Sequence, residues 1–163
     1  MRILYFGGQK SGKSKLAEQK AIKLSNSKPY YIATYNNSYG DEEMQKRIDN
    51  HQNQREDNFI TIEEQKDLTK VIEDNNTYLI DCVSMWLLNN LENNEKSLIE
   101  QIDTICKTSA NIVFVLNDVN SGVIPIDKIS RRFVDLTGII GQKIALECNE
   151  VYEVKFGLGN RLK

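Results

Sequence analysis

Residues 2–24, RILYFGGQKSGKSKLAEQKAIKL, set a glycine-rich stretch between an apolar run and a segment with helical spacing. RILYF has the aliphatic and aromatic character of a buried strand, while Leu16, Ala17, Ala21 and Leu24 recur near helical spacing. The stretch between them, GGQKSGKS at 7–14, fits G-x-x-x-x-G-K-[ST], with Gly7, Gly12, Lys13 and Ser14 at the required positions. Between a strand and a helix, this pattern aims successive backbone N–H groups and a helix N-terminus at phosphate oxygens. Gly7, Gly8, Gln9, Lys10, Ser11, Gly12, Lys13 and Ser14 are therefore read as a P-loop. In it, Lys13 reaches the β- and γ-phosphates and Ser14 ligates Mg2+. The plain alternative, a turn that merely links strand to helix, is disfavoured by that flanking context.

The same alternation continues down the chain. Strand-like runs occupy 2–6, 30–34 (YYIAT), 77–82 (TYLIDC), 111–116 (NIVFVL) and 150–156 (EVYEVKF), and helix-length periodic segments occupy 12–24, 97–108 and 129–148. Strands alternating with helices imply an α/β fold, with a mostly parallel central sheet flanked by helices on both faces. With 163 residues, 40% of them hydrophobic, the chain suits one core, so residues 1–163 are read as a single nucleotide-binding domain. A formal charge of −2 gives no electrostatic footprint for nucleic acid or an acidic membrane surface. Cys82, Cys106 and Cys148 lie far apart, without a C-x-x-C pair, and read as reduced core thiols. With no leader-like start and no apolar run long enough to span a membrane, a cytoplasmic protein is expected. The asparagine-rich patches at 36–38, 74–76 and 89–94 read as turns and loops.

A P-loop site needs a second acidic group on the metal, at the end of a neighbouring apolar strand, and Asp81 in YLIDC sits there. Its alternative role is the N-cap of a helix starting near Val83. The only histidine, His51, lies in EEMQKRIDNHQNQRED at 42–57. Read as a helix, the segment brings Arg47, His51 and Arg55 together at four-residue steps, beside a stripe holding Met44 and Ile48. Two fixed cations attract phosphate and keep a neighbouring imidazole neutral and nucleophilic. From spacing alone, a solvated face with a chance histidine remains the other reading.

FGGQKSGKS, YYIAT, DEEMQKRIDNHQNQR, LIDCVSMWLLNNL, NDVNSGVIP and RRFVDLTGIIGQKIA follow one another in this order. Over essentially the whole chain the sequence resembles the bifunctional adenosylcobinamide kinase/adenosylcobinamide-phosphate guanylyltransferase family of cobalamin biosynthesis. The R-I-x-x-H-x-x-x-R and N-[ED]-V-x-x-G-[VI]-[VI]-P blocks carry the specificity of that likeness.

The resemblance implies a RecA-like P-loop NTPase fold and a homotrimer. It also implies two reactions: phosphorylation of adenosylcobinamide by ATP or GTP, then transfer of GMP from GTP to adenosylcobinamide phosphate through a guanylylated histidine. The matching histidine is His51, with Lys13, Arg47 and Arg55 as catalytic partners. It further implies nucleotide contacts at Ala33, Thr34, Gln52, Asn53, Gln54, Arg55 and Glu63; from the sequence alone Glu63 is only an exposed acid. The chain departs from the family pattern at Asp118, Asn120, Val134 and Gly141, which bear on the corrinoid and subunit contacts, and Arg131 and Arg132 are nearby candidates to replace an arginine at 134. Two other readings stay open: a P-loop small-molecule kinase with an incidental histidine, and a nucleotide-binding homologue without corrinoid turnover.

Overall fold

The computed structural model describes residues 1–35 and 58–163. Among these residues seven strands form one sheet in the order β3-β2-β4-β5-β1-β6-β7. They are β1 (Arg2–Gly7), β2 (Tyr30–Ala33), β3 (Ile60–Glu63), β4 (Thr77–Asp81), β5 (Asn111–Asn117), β6 (Glu150–Lys155) and β7 (Leu158–Arg161). The first six run parallel, and β7 closes the edge antiparallel to β6. The described helices are α1 (Lys13–Leu24), α2 (Val83–Asn89), α3 (Glu95–Lys107) and α4 (Lys128–Glu147).

The two-residue period of a strand separates the core into two layers. Ile3, Tyr5, Leu79, Val113 and Val115 face α1, where Ala17 and Ala21 let the helix approach closely. Their sequence neighbours Leu4, Tyr78, Ile80, Ile112 and Phe114 face the other way, onto Trp86 and Leu87 of α2, Leu98, Ile102 and Ile105 of α3, and Leu136, Ile140 and Ile144 of α4. Both faces of the sheet are thus covered, as the unbroken apolar runs of its central strands require.

Several boundaries differ from the sequence reading. β3 and β7 fall where no strand is expected, and β6 stops at Lys155, leaving Phe156 in a turn. Asn89, read as part of a loop, is the last residue of α2. Asn75 does sit in a turn, with φ 63°, and Asn94 caps α3 through a side-chain bond from the Lys96 N–H. Cys106 and Cys148 are buried thiols, while Cys82 is only partly buried.

Candidate nucleotide-binding active site

Parallel pairing brings the carboxyl ends of β1 to β5 to one edge, the edge at which open α/β sheets bind ligands. Glu63, Ala33, Asp81 and Val115 are consecutive partners across β3, β2, β4 and β5, and Gly7 pairs with Asn117 two residues further on. The P-loop leaves β1 at this edge and enters α1.

Two of its glycines are required by geometry. At Gly7 a Cβ would lie 2.3 Å from the Val154 carbonyl oxygen of β6. Gly12 has φ 96°, and a Cβ there would lie 3.0 Å from Gly157 Cα. Lys10 is also left-handed, with φ 56°. Such alternation of hand turns successive N–H groups inward, the arrangement of an anion-binding nest. Gly12 is the N-cap of α1, no side chain caps it among the described residues, and no acid stands in the first turn. Its orphan donors and positive dipole end are thereby open to an anion.

Lys13 is 6% exposed, and its Nζ donates to the Gly8 carbonyl at 3.2 Å. Burial holds its pKa below the ordinary lysine value of 10.5, while the nearby Asp81 charge pulls it back up. A buried ammonium returned to its own loop in this way is a cation held ready for phosphate. Asp81 and Lys13, chosen from separate motifs, are thus electrostatic neighbours. The alternative role for Asp81 is corrected: α2 starts at Val83 with Cys82 as its N-cap, one residue later. The Asp81–Cys82 peptide is cis.

A polar frame that sequence reasoning missed fixes this corner. The Asp81 carbonyl accepts from Tyr31 OH at 3.3 Å. Thr34 is fully buried and binds the Cys82 backbone twice through its hydroxyl. Asn89 Nδ2 donates to the Thr34 carbonyl at 2.7 Å and to that of Gln65 at 3.2 Å, and the Asn117 N–H donates to Ser84 Oγ at 2.9 Å. The one signal in the sequence was position, a polar residue closing an apolar strand. Burial pushes the Cys82 thiol up to about 12, with the Asp81 charge adding to it, so Cys82 stays protonated at neutral pH.

Ala33 is half-buried beside Asp81, and Glu63 is exposed at the end of β3. Arg47, His51, Gln52, Asn53, Gln54 and Arg55, with Met44 and Ile48, lie outside the described residues. Arg131 and Arg132 line a cleft of about 600 Å3 with Lys128 and Asn120. Arg131 is bound to the Pro125 and Ile126 carbonyls, and Arg132 to those of Leu91 and Asn93. Two of the departures from the family pattern meet here, since Asn120 Nδ2 donates to the Val134 carbonyl at 3.0 Å.

Residues 3–162 match the family described as Cobinamide kinase / cobinamide phosphate guanyltransferase, CobU. The chain belongs to this family. A bifunctional adenosylcobalamin biosynthesis protein, CobP, of Pseudomonas aeruginosa is 35% identical, the match covering 100% of this chain and 98% of the relative. The Escherichia coli protein of the same description, CobU, is 31% identical with both chains covered in full, and the Salmonella typhimurium CobU is 29% identical with the same coverage. As a CobU-family enzyme the chain is a cobinamide kinase and cobinamide phosphate guanylyltransferase with a P-loop NTPase fold. Nucleoside triphosphates and cobinamide fit that family as substrates. Among the described residues no helix is long and apolar enough to cross a membrane.

Proposed function

We propose that the chain is one P-loop domain, residues 1–163, that phosphorylates adenosylcobinamide from ATP or GTP and then guanylylates the product through His51. The observation that carries the reading is the buried Lys13 ammonium, electrostatically coupled to Asp81 at the strand-end edge beneath an uncapped helix N-terminus. In the kinase step the aminopropanol hydroxyl attacks the γ-phosphorus and gives up its proton to water, the bond to the β,γ-bridging oxygen breaks and the nucleoside diphosphate leaves, while Lys13 and the loop N–H groups take up charge on the phosphate oxygens. In the second step a neutral His51 nitrogen attacks the α-phosphorus of GTP and pyrophosphate leaves. An oxygen of adenosylcobinamide phosphate then attacks the same phosphorus and releases the histidine, giving adenosyl-GDP-cobinamide. Arg47 and Arg55, four residues to either side, support the charge on phosphorus.

The donor set suits Mg2+. Ser14 in the first turn of α1 and Asp81 at the end of β4 supply two hard oxygen ligands. No group of three or more His, Cys, Asp and Glu able to hold a metal occurs among the described residues. Magnesium bound by one or two protein oxygens, with phosphate and water completing the shell, is its usual mode in phosphoryl transfer. Its contribution when bound is neutralisation of charge across the β- and γ-phosphates.

A homotrimer in the cytoplasm completes the reading. The exposed Val123, Ile124, Ile126 and Ile129, at 96, 77, 96 and 69% exposure, support self-association, because a monomer seldom leaves so many neighbouring aliphatics in water. Light scattering of the purified enzyme checks the trimer. For the chemistry, the chain is incubated with GTP and Mg2+ alone and its intact mass measured. Addition of one GMP, labile to acid and stable to base, on His51 is the expected result; modification of another residue overturns the histidine mechanism, and no adduct favours a kinase with an incidental histidine.

A further inference from the structure

The hairpin between β6 and β7 touches the P-loop, a contact that the phosphate-binding reading leaves unused. Lys155 pairs with Leu158, so the turn consists of Phe156 and Gly157 alone, with φ 52° and 80°. Two positive φ values define a type I′ turn, whose positions suit Asn, Asp and Gly. A bulky aromatic at the first of them carries backbone strain that asparagine would avoid. Phe156 is 97% exposed, so nothing among the described residues returns that cost.

The turn is also held at a fixed place. The Gly157 N–H donates to the Ser11 carbonyl of the P-loop at 2.7 Å. Gly157 Cα lies so near Gly12 that a Cβ there would come within 3.0 Å of it, and a Cβ on Gly159 of β7 would meet Leu16 of α1 at 3.4 Å. An exposed phenyl ring on a strained turn is therefore attached to the loop that cradles phosphates.

We propose that Phe156 is the platform on which the purine base of the P-loop nucleotide stacks. This rests on the nucleotide reading of the P-loop. The loop itself recognises only phosphates, so the base must find its own surface. An aromatic face supplies one without reading the base edge, and either purine presents a π-face to it. The strain at Phe156 is then the cost of presenting an aromatic at this turn.

The experiment compares calorimetric binding of Mg2+–β,γ-imido-ATP and of inorganic tripolyphosphate to the intact enzyme and to Phe156→Asn, Phe156→Trp and Lys13→Ala. Asparagine suits the left-handed position, so Phe156→Asn keeps the turn while removing the ring. The expected result is about tenfold weaker binding of the imido nucleotide by Phe156→Asn, unchanged tripolyphosphate binding, and full affinity in Phe156→Trp. Unchanged nucleotide affinity in Phe156→Asn, with Lys13→Ala crippled, overturns the stacking role and leaves the P-loop reading intact. Equal losses for nucleotide and tripolyphosphate also overturn it, since the turn would then merely prop the loop. If Lys13→Ala binds both ligands as well as the intact enzyme does, the P-loop reading falls and takes the proposal with it.

Discussion

Thr34 holds both backbone polar groups of Cys82: its hydroxyl donates to the Cys82 carbonyl at 2.8 Å and accepts from the Cys82 N–H at 3.1 Å. The bond pair ties the chain leaving β2 to the residue after Asp81, while Tyr31 from β2 holds the Asp81 carbonyl itself. The position of the acid next to Lys13 is therefore set by β2.

Thr34→Val, nearly isosteric, strands the Cys82 N–H, while the Cys82 carbonyl keeps the Met85 and Trp86 N–H groups as donors. The expected loss is about 1–3 kcal/mol in urea unfolding, from the one stranded buried N–H. Phosphorylation should fall beyond the loss of folded protein, because Asp81 shifts. Thr34→Ser should restore most of both; a Val variant as active and stable as the parent would show that the frame is dispensable.

Gly7 and Gly8 should respond in opposite ways to alanine. A Cβ at Gly7 overlaps the Val154 carbonyl, so Gly7→Ala must push β6 from β1 and should cost about 1–3 kcal/mol or more. At Gly8 a Cβ meets nothing within 4 Å, so the thermal midpoint of Gly8→Ala should stay close to that of the parent. Paired melting curves test the contrast.

Lys13 should impose an alkaline limb on kcat/KM for the nucleotide, centred below 10.5. Burial lowers its pKa, so in the free enzyme it loses its proton, and its grip on phosphate, before an ordinary lysine would. The sign for stability is the reverse. Between the folded value and 10.5 the unfolded chain holds more protons, so stability rises with pH there; the cost of the buried charge applies below that window and is gone above it. A pH-rate profile with its limb at or above 10.5 would contradict the burial of a charged Lys13.

The histidine block should separate nucleophile from support. His51→Ala should abolish transfer of GMP while leaving phosphorylation of adenosylcobinamide measurable. Arg47→Ala and Arg55→Ala should only slow formation of the adduct, by about 2–4 kcal/mol each in activation free energy. Labelled GTP reads the adduct, and ATP with adenosylcobinamide reads the kinase step. Loss of both reactions in a well-folded His51→Ala would mean that the residue shapes a shared site.

The strands that sequence patterning missed share one cause. β3, ITIE, alternates Ile60 and Ile62 with polar residues over only four positions and is largely exposed at the sheet edge, and β7, LGNR, is exposed throughout with no apolar stripe. β7 exists because a two-residue turn returns the chain onto β6, where backbone pairing suffices. The Phe-Gly step was the available hint, and phenylalanine in a type I′ position masked it.

The sequence by itself determined the α/β class, the P-loop with Lys13 and Ser14, the acid at the end of β4, and the family through whole-chain likeness. These are local signals, written in side-chain periodicity and in fixed spacing between a strand and a helix. Tertiary structure alone decided that Asp81 stands beside Lys13 with β5 between their strands, that Thr34 serves Cys82, and that the turn at Phe156 rests on the P-loop. Each joins residues 40 or more positions apart, and such meetings depend on strand order and register, which the periodicity of any one segment does not encode.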